Sequence, residues 1–540
     1  MMGGLLVTLA ILGTTTGAPA ASVSPPSFTE TTLWDSTAGD YANYHVHSLT
    51  VLPEDTVLAF TEGRKFSDCD FGAHDLVLRR SADGGQTWEP TTVVVPATNG
   101  ESWGNPTPVV DQATGTVFLF YNQSFRDAGN TGCSADRSRL YLRKSTDAGL
   151  HWTAPTELTG LFANNAQGWT QHAPTPGHGI QLDSGRLLMP LTHRREFLGN
   201  PVPARRYGVS MVYSDDHGAS WKWGKPVPVS ETYPIGENRV FQRADGAVIV
   251  NGRYGSGGVH SRITSASADG GVTWADPMLD SATGQLTAVD AGFARYSGGR
   301  GSPDVNRVLF SRPDAPTRQN MTVSVSYDEG NSYRYRRVVN PGPSYYSDLA
   351  VTSDGTILLL YGRDGIDPTF PERVAVARFN LEWLTGGLDD PDTGPPFTEH
   401  EWEFGTSVSY GSPNGPGPTV VTDIQARGGR ALRYVAPATG HHVEIPFVVP
   451  TTGNYEVAVR YARDADRAAV QVSMDGTNLA NGAFDPTMTA SESYQVYGLG
   501  SRQLAAGLHV IRFTVTGPGR AGGYAVTPDQ LTLISPGRTG

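Results

Sequence analysis

Short apolar runs punctuated by polar turns dominate the chain from Tyr44 onward. SLTVL begins at Ser48, TVLAFTEG at Thr56 and LVLRR at Leu76. Runs of this length, rich in β-branched and aromatic residues and bounded by turn residues, read as strands rather than helices. LVLRR leads into the turn SADGGQTW at Ser81, and that turn recurs. STDAGLHW starts at Ser145, SDDHGASW at Ser214, SADGGVTW at Ser267 and a degenerate SYDEGNSY at Ser326. Each copy follows a strand-like run: LVLRR, LYLRK, VSMVY, ITSA or TVSVS.

The repeated turn has a physical logic. A short carboxylate (Asp83, Asp147, Asp216, Asp269, Asp328) can accept the turn's own backbone N–H groups, a glycine permits a positive φ, and the aromatic at the eighth position anchors the turn on the core. These are Asp-boxes, which serve as folding staples and by themselves say little about function. Successive copies begin 64, 69, 53 and 59 residues apart, room for a four-stranded sheet in each unit. Repeated antiparallel sheets of that size predict a β-propeller. Five boxes, together with the pair DLAVTSDGTILLLYGR closing against the N-terminal strands, predict six blades over residues 27–384.

Beyond FNLEWL, residues 385–398 form a Gly/Pro/Asp-rich linker, TGGLDDPDTGPP at its start. The pattern then changes. HHVEIPFVV, NYEVAVRYA, AAVQVSMDG, YQVYGLG and LHVIRFTVTG alternate apolar and polar positions over short runs, which predicts a β-sandwich over residues 399–540. That sandwich resembles the jelly-roll carbohydrate-binding modules appended to secreted glycosidases; a purely structural sandwich is the alternative.

Composition narrows the picture. The chain has 540 residues, 64 Gly, 38 Pro and a net charge of −12 spread without blocks, so a basic surface for nucleic acid or anionic membranes is excluded. The N-terminal MMGGLLVTLAILGTTTGAPAAS has a short apolar run and then Ala18-Pro19-Ala20, which resembles a secretory signal over residues 1–21, although a basic leading segment is missing. The run is too short to span a bilayer, and export is the expectation. Cys69 and Cys133 can pair in an exported chain; two idle thiols remain the alternative.

The stretch Tyr44–Trp88, with WGNPTPVVD at Trp103, PGHGIQL at Pro176 and YSDL at Tyr346, resembles the bacterial exo-sialidases of glycoside hydrolase family 33. The resemblance runs from about Tyr44 to Leu384 and leaves out the C-terminal module. It implies cleavage of a glycoside whose anomeric carbon carries a carboxylate. A second anion beneath such a sugar would repel it, so the family uses a Tyr nucleophile deprotonated by an adjacent Glu, with a carboxylic acid on the other face. Arginine forks grip the substrate carboxylate.

Carried over residue by residue, the resemblance makes Tyr346 the nucleophile (Tyr345 if the register slips by one) and Glu237 its partner. Asp70 becomes the acid/base, with Asp68 the second choice, and Arg253 and Arg318 become two of three carboxylate-binding arginines. Two positions depart from the pattern. His45-Val46-His47 stands where the family opens with Arg-Ile-Pro, and Gly362 stands where a Glu would hold that first arginine. Losing both members of a buried ion pair is physically coherent, because losing only one strands a charge. Arg363 is a candidate replacement cation, though strand alternation points it away.

The expectation is therefore a secreted, retaining, monomeric exo-glycosidase acting on sialylated or other acidic-sugar glycans, with His45 and His47 assisting Arg253 and Arg318. A protonated His45 would make affinity fall as pH rises past about 6.5. A different ulosonic or uronic acid as substrate, or a non-catalytic lectin, are the alternatives. His45, His47 and His74 with Asp68, Asp70 and Asp75 match no zinc spacing, so no metal is expected, and no nucleotide-binding motif implies a cofactor.

Overall fold

A computed structural model describes residues 24–195, 207–255, 257–299, 304–365, 370–389 and 391 of the first part. In the second part it describes 397–401, 409–411, 417–423, 426, 430–449, 452–487 and 493–535. The segment 1–21 read as a secretory signal lies outside the described residues.

Strands in the first part pair into ladders, antiparallel but for one contact of β4 (His74–Ser81) with β6 (Ser102–Asp111), that divide into groups of four or five. β1 (Phe28–Asp35) belongs to the last group. The first group is β2 (Asn43–Val51), β3 (Val57–Arg64), β4 (His74–Ser81) and β5 (Thr92–Val95). The second is β6 (Ser102–Asp111), β7 (Thr116–Phe125), β8 (Arg137–Ser145) and β9 (Thr156–Glu157). The third holds β10 (Gln171–Pro174), the short β11 (Ile180–Gln181), β12 (Leu187–Arg194), β13 (Tyr207–Ser214) and β14 (Lys222–Trp223).

In the fourth group β15 (Ile235–Gln242) and β16 (Val248–Tyr254) are followed by β17 (Val259–His260), which pairs outside the sheet. β18 (Arg262–Ser267) and β19 (Met278–Asp280) complete the sheet, and β20 (Leu286–Thr287) is the partner of β17. The fifth comprises β21 (Gly292–Ser297), β22 (Arg307–Pro313), β23 (Gln319–Ser326) and the first half of β24 (Tyr335–Val351). The second half of β24, with β25 (Ile357–Arg363), β26 (Arg373–Phe379) and β1, makes the sixth. The arrangement is the propeller that the repeats predict, closed by its N-terminal strand.

The core lies between neighbouring groups. Val109, Phe118 and Phe120 of the second, for instance, pack on Leu187, Met189 and Val212 of the third. The Asp-boxes reinforce these seams. In the third box Ser214 Oγ donates to Asp216 Oδ1 at 2.7 Å and accepts from Gly218 N at 2.8 Å, while Ser220 N donates to Asp216 Oδ1 at 2.9 Å. Gly218 has φ +79°, and a Cβ there would lie 2.1 Å from the Phe118 ring of the preceding group. The box thus needs glycine twice over, for its conformation and for the close approach.

Around the axis, inner strands are tied by polar bonds from one group to the next. Ser48 Oγ donates to Pro106 O, Leu49 N to Asp348 Oδ2 and Thr175 Oγ1 to Asn238 O. After β26, helix α1 (Leu381–Thr385) is capped by Asn380, whose side chain accepts from Trp383 N. Asp389, assigned to the linker by composition, is buried and forms a bidentate pair with Arg307 (both bonds 2.7 Å). The packing of the propeller therefore reaches residue 389, five residues past its expected end at 384.

The C-terminal part is a separate set of antiparallel sheets. Gly453–Arg463 pairs with Ser493–Leu504 and Pro528–Ile534, while His442–Val449 pairs with Gly507–Gly517, which also pairs with Ala469–Met474. Val457, Val459 and Leu531 from one sheet meet Val443, Ile445 and Phe513 from the other in one buried cluster, as a sandwich requires.

Candidate active site

One interruption recurs in four inner strands. In β2 the pairing steps from His45↔Glu62 to Ser48↔Phe60, three residues against two. β6 does the same between Gly104 and Thr107, β15 between Ile235 and Asn238, and β24 between Ser344 and Ser347. Each is a bulge with one extra residue, the device by which a strand re-aims a side chain out of simple alternation. Val46 (φ 55°) and Asn105 (φ 52°) sit inside two of them. His45, Glu237 and Tyr346 all lie at these bulges, so a shared backbone feature turns residues distant in sequence toward one hollow.

That hollow is a cavity of about 280 Å³ lined among others by His45, Arg64, Asp70, Glu237, Arg253 and Tyr346. Its centre is a tight polar triple. The Tyr346 hydroxyl donates to Glu237 Oε1 at 2.5 Å. Arg253 Nη1 donates to Glu237 Oε2 at 2.8 Å and to the Tyr346 oxygen at 3.0 Å. Arg318 lies 5.7 Å from the centroid of the Tyr346 ring and donates to Ala288 O at 3.4 Å. Tyr346, not its neighbour Tyr345, reaches the carboxylate.

The electrostatics fix which partner carries the proton in the resting site. Burial, then the Glu237 charge, push the Tyr346 phenol well above its ordinary value, against the pull of Arg253 and Arg318. Burial also opposes the charge on Glu237, but the Arg253 guanidinium, the Tyr346 hydroxyl and Arg318 outweigh it and leave the carboxyl below its usual range. The resting pair is thus a neutral phenol facing an ionised carboxylate. Arg253 is placed to stabilise a phenolate as it forms.

Across the cavity stands a second charged group that the motif reading passed over. Glu62 and Arg64 are buried in β3, with Arg64 Nη2 2.9 Å from Glu62 Oε2. Glu62 Oε1 accepts from Asn105 N at 2.9 Å. Arg64 Nη2 lies 3.1 Å from Asp70 Oδ1, and Arg64 Nη1 donates to Asp68 O. Asp70 therefore faces the cavity, while Asp68 contributes its backbone. Two opposite charges inside a fully buried strand, VLAFTEGR, were the available signal. Asn122, Gln171, Arg194 and Tyr207 complete much of the polar wall.

The histidine segment behaves differently from its sequence reading. His45 is 3% exposed, its ring lies 4.6 Å from that of Tyr346, and its Nδ1 has no hydrogen-bond partner among the described residues. Burial first, then Arg64, His47, Arg318 and Arg253, push it well below the ordinary imidazole value. These surroundings favour the neutral ring before any carboxylate binds, against the expectation of a protonated carboxylate ligand. His47 does not line the cavity; its Nε2 meets Tyr346 O at 3.0 Å, and burial lowers it to about 4. Its role here is to brace the Tyr346 backbone.

Gly362 has no space for a side chain, since a Cβ would come 2.9 Å from Pro371 and 3.1 Å from Tyr345. Arg363 pairs with Glu30 and Asp364 and does not reach the cavity, so it replaces no lost cation.

Comparison with known proteins agrees with this geometry. Residues 56–359 match the BNR repeat-like domain family. The chain belongs to that sialidase-like family. A sialidase from Micromonospora viridifaciens is 31% identical over 395 residues, covering 70% of this chain and 58% of the relative. Human sialidase-4 is 41% identical over 197 residues, 34% of this chain and 40% of the relative. The sialidase-like chain thus spans well under two thirds of the length of either.

An exo-alpha-sialidase from Arthroderma benhamiae is 28% identical over 61% of this chain and 81% of its own. Among solved structures, a Trypanosoma rangeli sialidase in complex with 2,3-difluorosialic acid superposes with a TM-score of 0.53 at 14% identity. That superposition covers 95% of this chain and 96% of the other. Hadza microbial sialidase Hz136 gives a TM-score of 0.53 at 22% identity over 64% and 67% of the two chains. These structural likenesses are evidence of the shared fold.

Proposed function

We propose that the protein is a secreted exo-glycosidase of the sialidase type that releases a terminal sialic acid, or a closely related acidic sugar, with retained anomeric configuration. The observation that carries this reading is the Tyr346–Glu237–Arg253 triple at the cavity floor. A binding protein needs no phenol held 2.5 Å from an ionised carboxylate, and that pairing disfavours the lectin alternative.

In the proposed reaction the substrate carboxylate meets Arg253 and Arg318. Glu237 takes the phenolic proton as the Tyr346 oxygen attacks the anomeric carbon, and Asp70 protonates the departing oxygen. Water, deprotonated by Asp70, then attacks the anomeric carbon and breaks its bond to Tyr346, whose oxygen takes its proton back from Glu237. Two inversions give net retention. With the first arginine position filled by a neutral imidazole, the carboxylate has a one-sided grip. The same feature leaves a second reading, a different ulosonic or uronic acid, attached to this site. The C-terminal sandwich is read as a carbohydrate-binding module that holds the enzyme at its glycan.

A panel of fluorogenic glycosides of sialic, other ulosonic and uronic acids, assayed across pH 4 to 8, tests the proposal. The expected result is turnover of an acidic 2-keto sugar, with substrate affinity showing no inflection attributable to His45 near 6.5. Proton NMR of the first-released sugar should show the retained anomer; an inverted product would remove Tyr346 from the nucleophile role.

A further inference from the structure

The loop that carries Asp70 is poorly held by ordinary forces. It spans residues 65–73 between β3 and β4, and none of its residues is buried. Phe66 is 84% exposed and the Asp70 side chain 69%. Its inward polar contacts sit mostly at its ends, where Lys65 N meets Ala73 O, Lys65 Nζ meets Ala97 O and Asp75, and Gly72 N meets Ser102 Oγ at a long 3.4 Å; in the middle only Arg64 reaches in, to Asp68 O and the Asp70 carboxylate. A segment without buried apolar area should open readily.

Facing it is the loop 126–136 between β7 and β8, which is densely braced. Asp136 Oδ2 accepts from Asp127 N at 2.7 Å and Asn130 Nδ2 at 2.8 Å, and Asn130 Nδ2 also reaches Ser134 O. Arg126 Nη1 donates to Gly132 O, and Asp136 N to Phe125 O. Thr170 Oγ1 and Gln171 Nε2 fasten the loop's end to the third blade. Two ties join the loops: the disulfide Cys69–Cys133 and the Arg126 guanidinium 4.2 Å from the centroid of the Phe71 ring. Both fall on residues flanking Asp70.

We infer that the Cys69–Cys133 disulfide is a positioning device for the acid, transferring the rigidity of the braced loop to the exposed one so that Asp70 is held over the departing oxygen. The cystine does no chemistry itself. The inference rests on Asp70 being the acid, and it makes a specific demand. Loosening the loop should harm cleavage in proportion to how much the leaving group needs a proton. A lactose hydroxyl needs it; a 4-nitrophenolate scarcely does.

The test compares α-2,3-sialyllactose with 4-nitrophenyl α-sialoside in the wild-type enzyme, in the Cys69→Ser/Cys133→Ser variant, and in Asp70→Ala as reference. Asp70→Ala should lower kcat/KM, which reads only the step that expels the leaving group, on sialyllactose by about 10²-fold or more and spare that of the aryl sialoside. The cystine-free variant should show the same bias at smaller size, about tenfold on sialyllactose and within about twofold on the aryl substrate. Should that variant fail to fold, reducing the folded wild type with a phosphine, and reoxidising it, gives the same readout. Equal losses on both substrates, or no loss on either, overturn the positioning role while the Asp70 assignment stands. An Asp70→Ala variant with no leaving-group bias overturns that assignment and the inference with it.

Discussion

Tyr346 and Asp70 face one cavity from opposite kinds of backbone. Tyr346 is 5% exposed on a central strand, bulged at the right place, with His47 against its carbonyl and Glu237 and Arg253 on its hydroxyl. Asp70 rides an exposed loop with one ion-pair partner and a covalent tie beside it. The difference fits the roles proposed above for the two groups, nucleophile and acid. A nucleophile that attacks a fixed carbon profits from a rigid, desolvated site. An acid that also activates water has to keep one face toward solvent, so it cannot be positioned by burial, and other means must supply its order.

The largest effect expected on the buried side is that of Tyr346→Phe. Turnover of the released sugar's glycosides should fall by about 10³-fold or more, while the melting temperature changes little, because Glu237 keeps its Arg253 partner. A variant near the wild-type rate would dissolve the contrast between the two sides. Next in size is His45→Arg. A family-like arginine there would meet no carboxylate from position 362, where Pro371 and Tyr345 leave no room for one. Sialoside kcat/KM is expected to rise by no more than about threefold, and fold stability to drop, since a charge buried without its partner is costly. A sharp gain in turnover would show that the two losses are independent.

The smallest effect is on pH dependence. His45 and His47 are both held below the imidazole norm, His47 at about 4. Such groups bind protons more readily in the unfolded chain, so the stability they confer is complete above about 6.5 and declines as pH falls toward 4. Thermal melts should therefore shift downward over that interval. A His47→Asn variant should show a shallower decline than the wild type; an unchanged slope would mean that the Tyr346 strand is not braced in this way.

How far the sequence revealed this site depended on the kind of signal. Tyr346, Glu237 and Arg253 were legible because each keeps its order and spacing relative to a strand or an Asp-box. The boxes themselves were readable as turns, and the structure adds that each one leans on the preceding blade, as Gly218 does on Phe118. The bulges were not legible. Strict alternation would place His45 and His47 on the same face, yet the extra residue in β2 sends one ring to the cavity and the other beneath Tyr346. Titration was hidden for a related reason: composition shows a histidine but neither its burial nor the four cationic or imidazole neighbours that disfavour its charge. Glu62 and Arg64 were hidden in a motif quoted for its shape. Asp389 sat in a stretch whose Gly and Pro content spoke for a tether, although its carboxylate belongs to a buried pair.

The strand that closes the ring has a consequence for how the polypeptide reaches its native form. Phe28 pairs with Phe379 and Asp35 with Arg373, so hydrogen bonds of the final ladder join the two ends of the propeller's sequence. Entropy for joining segments so far apart grows only logarithmically with separation, yet the contact cannot exist until the distal partner has left the ribosome. The propeller's first strand must therefore wait, edge unpaired, while the propeller's other strands are synthesised, and completion of the circle is the step in which that strand meets the propeller's last.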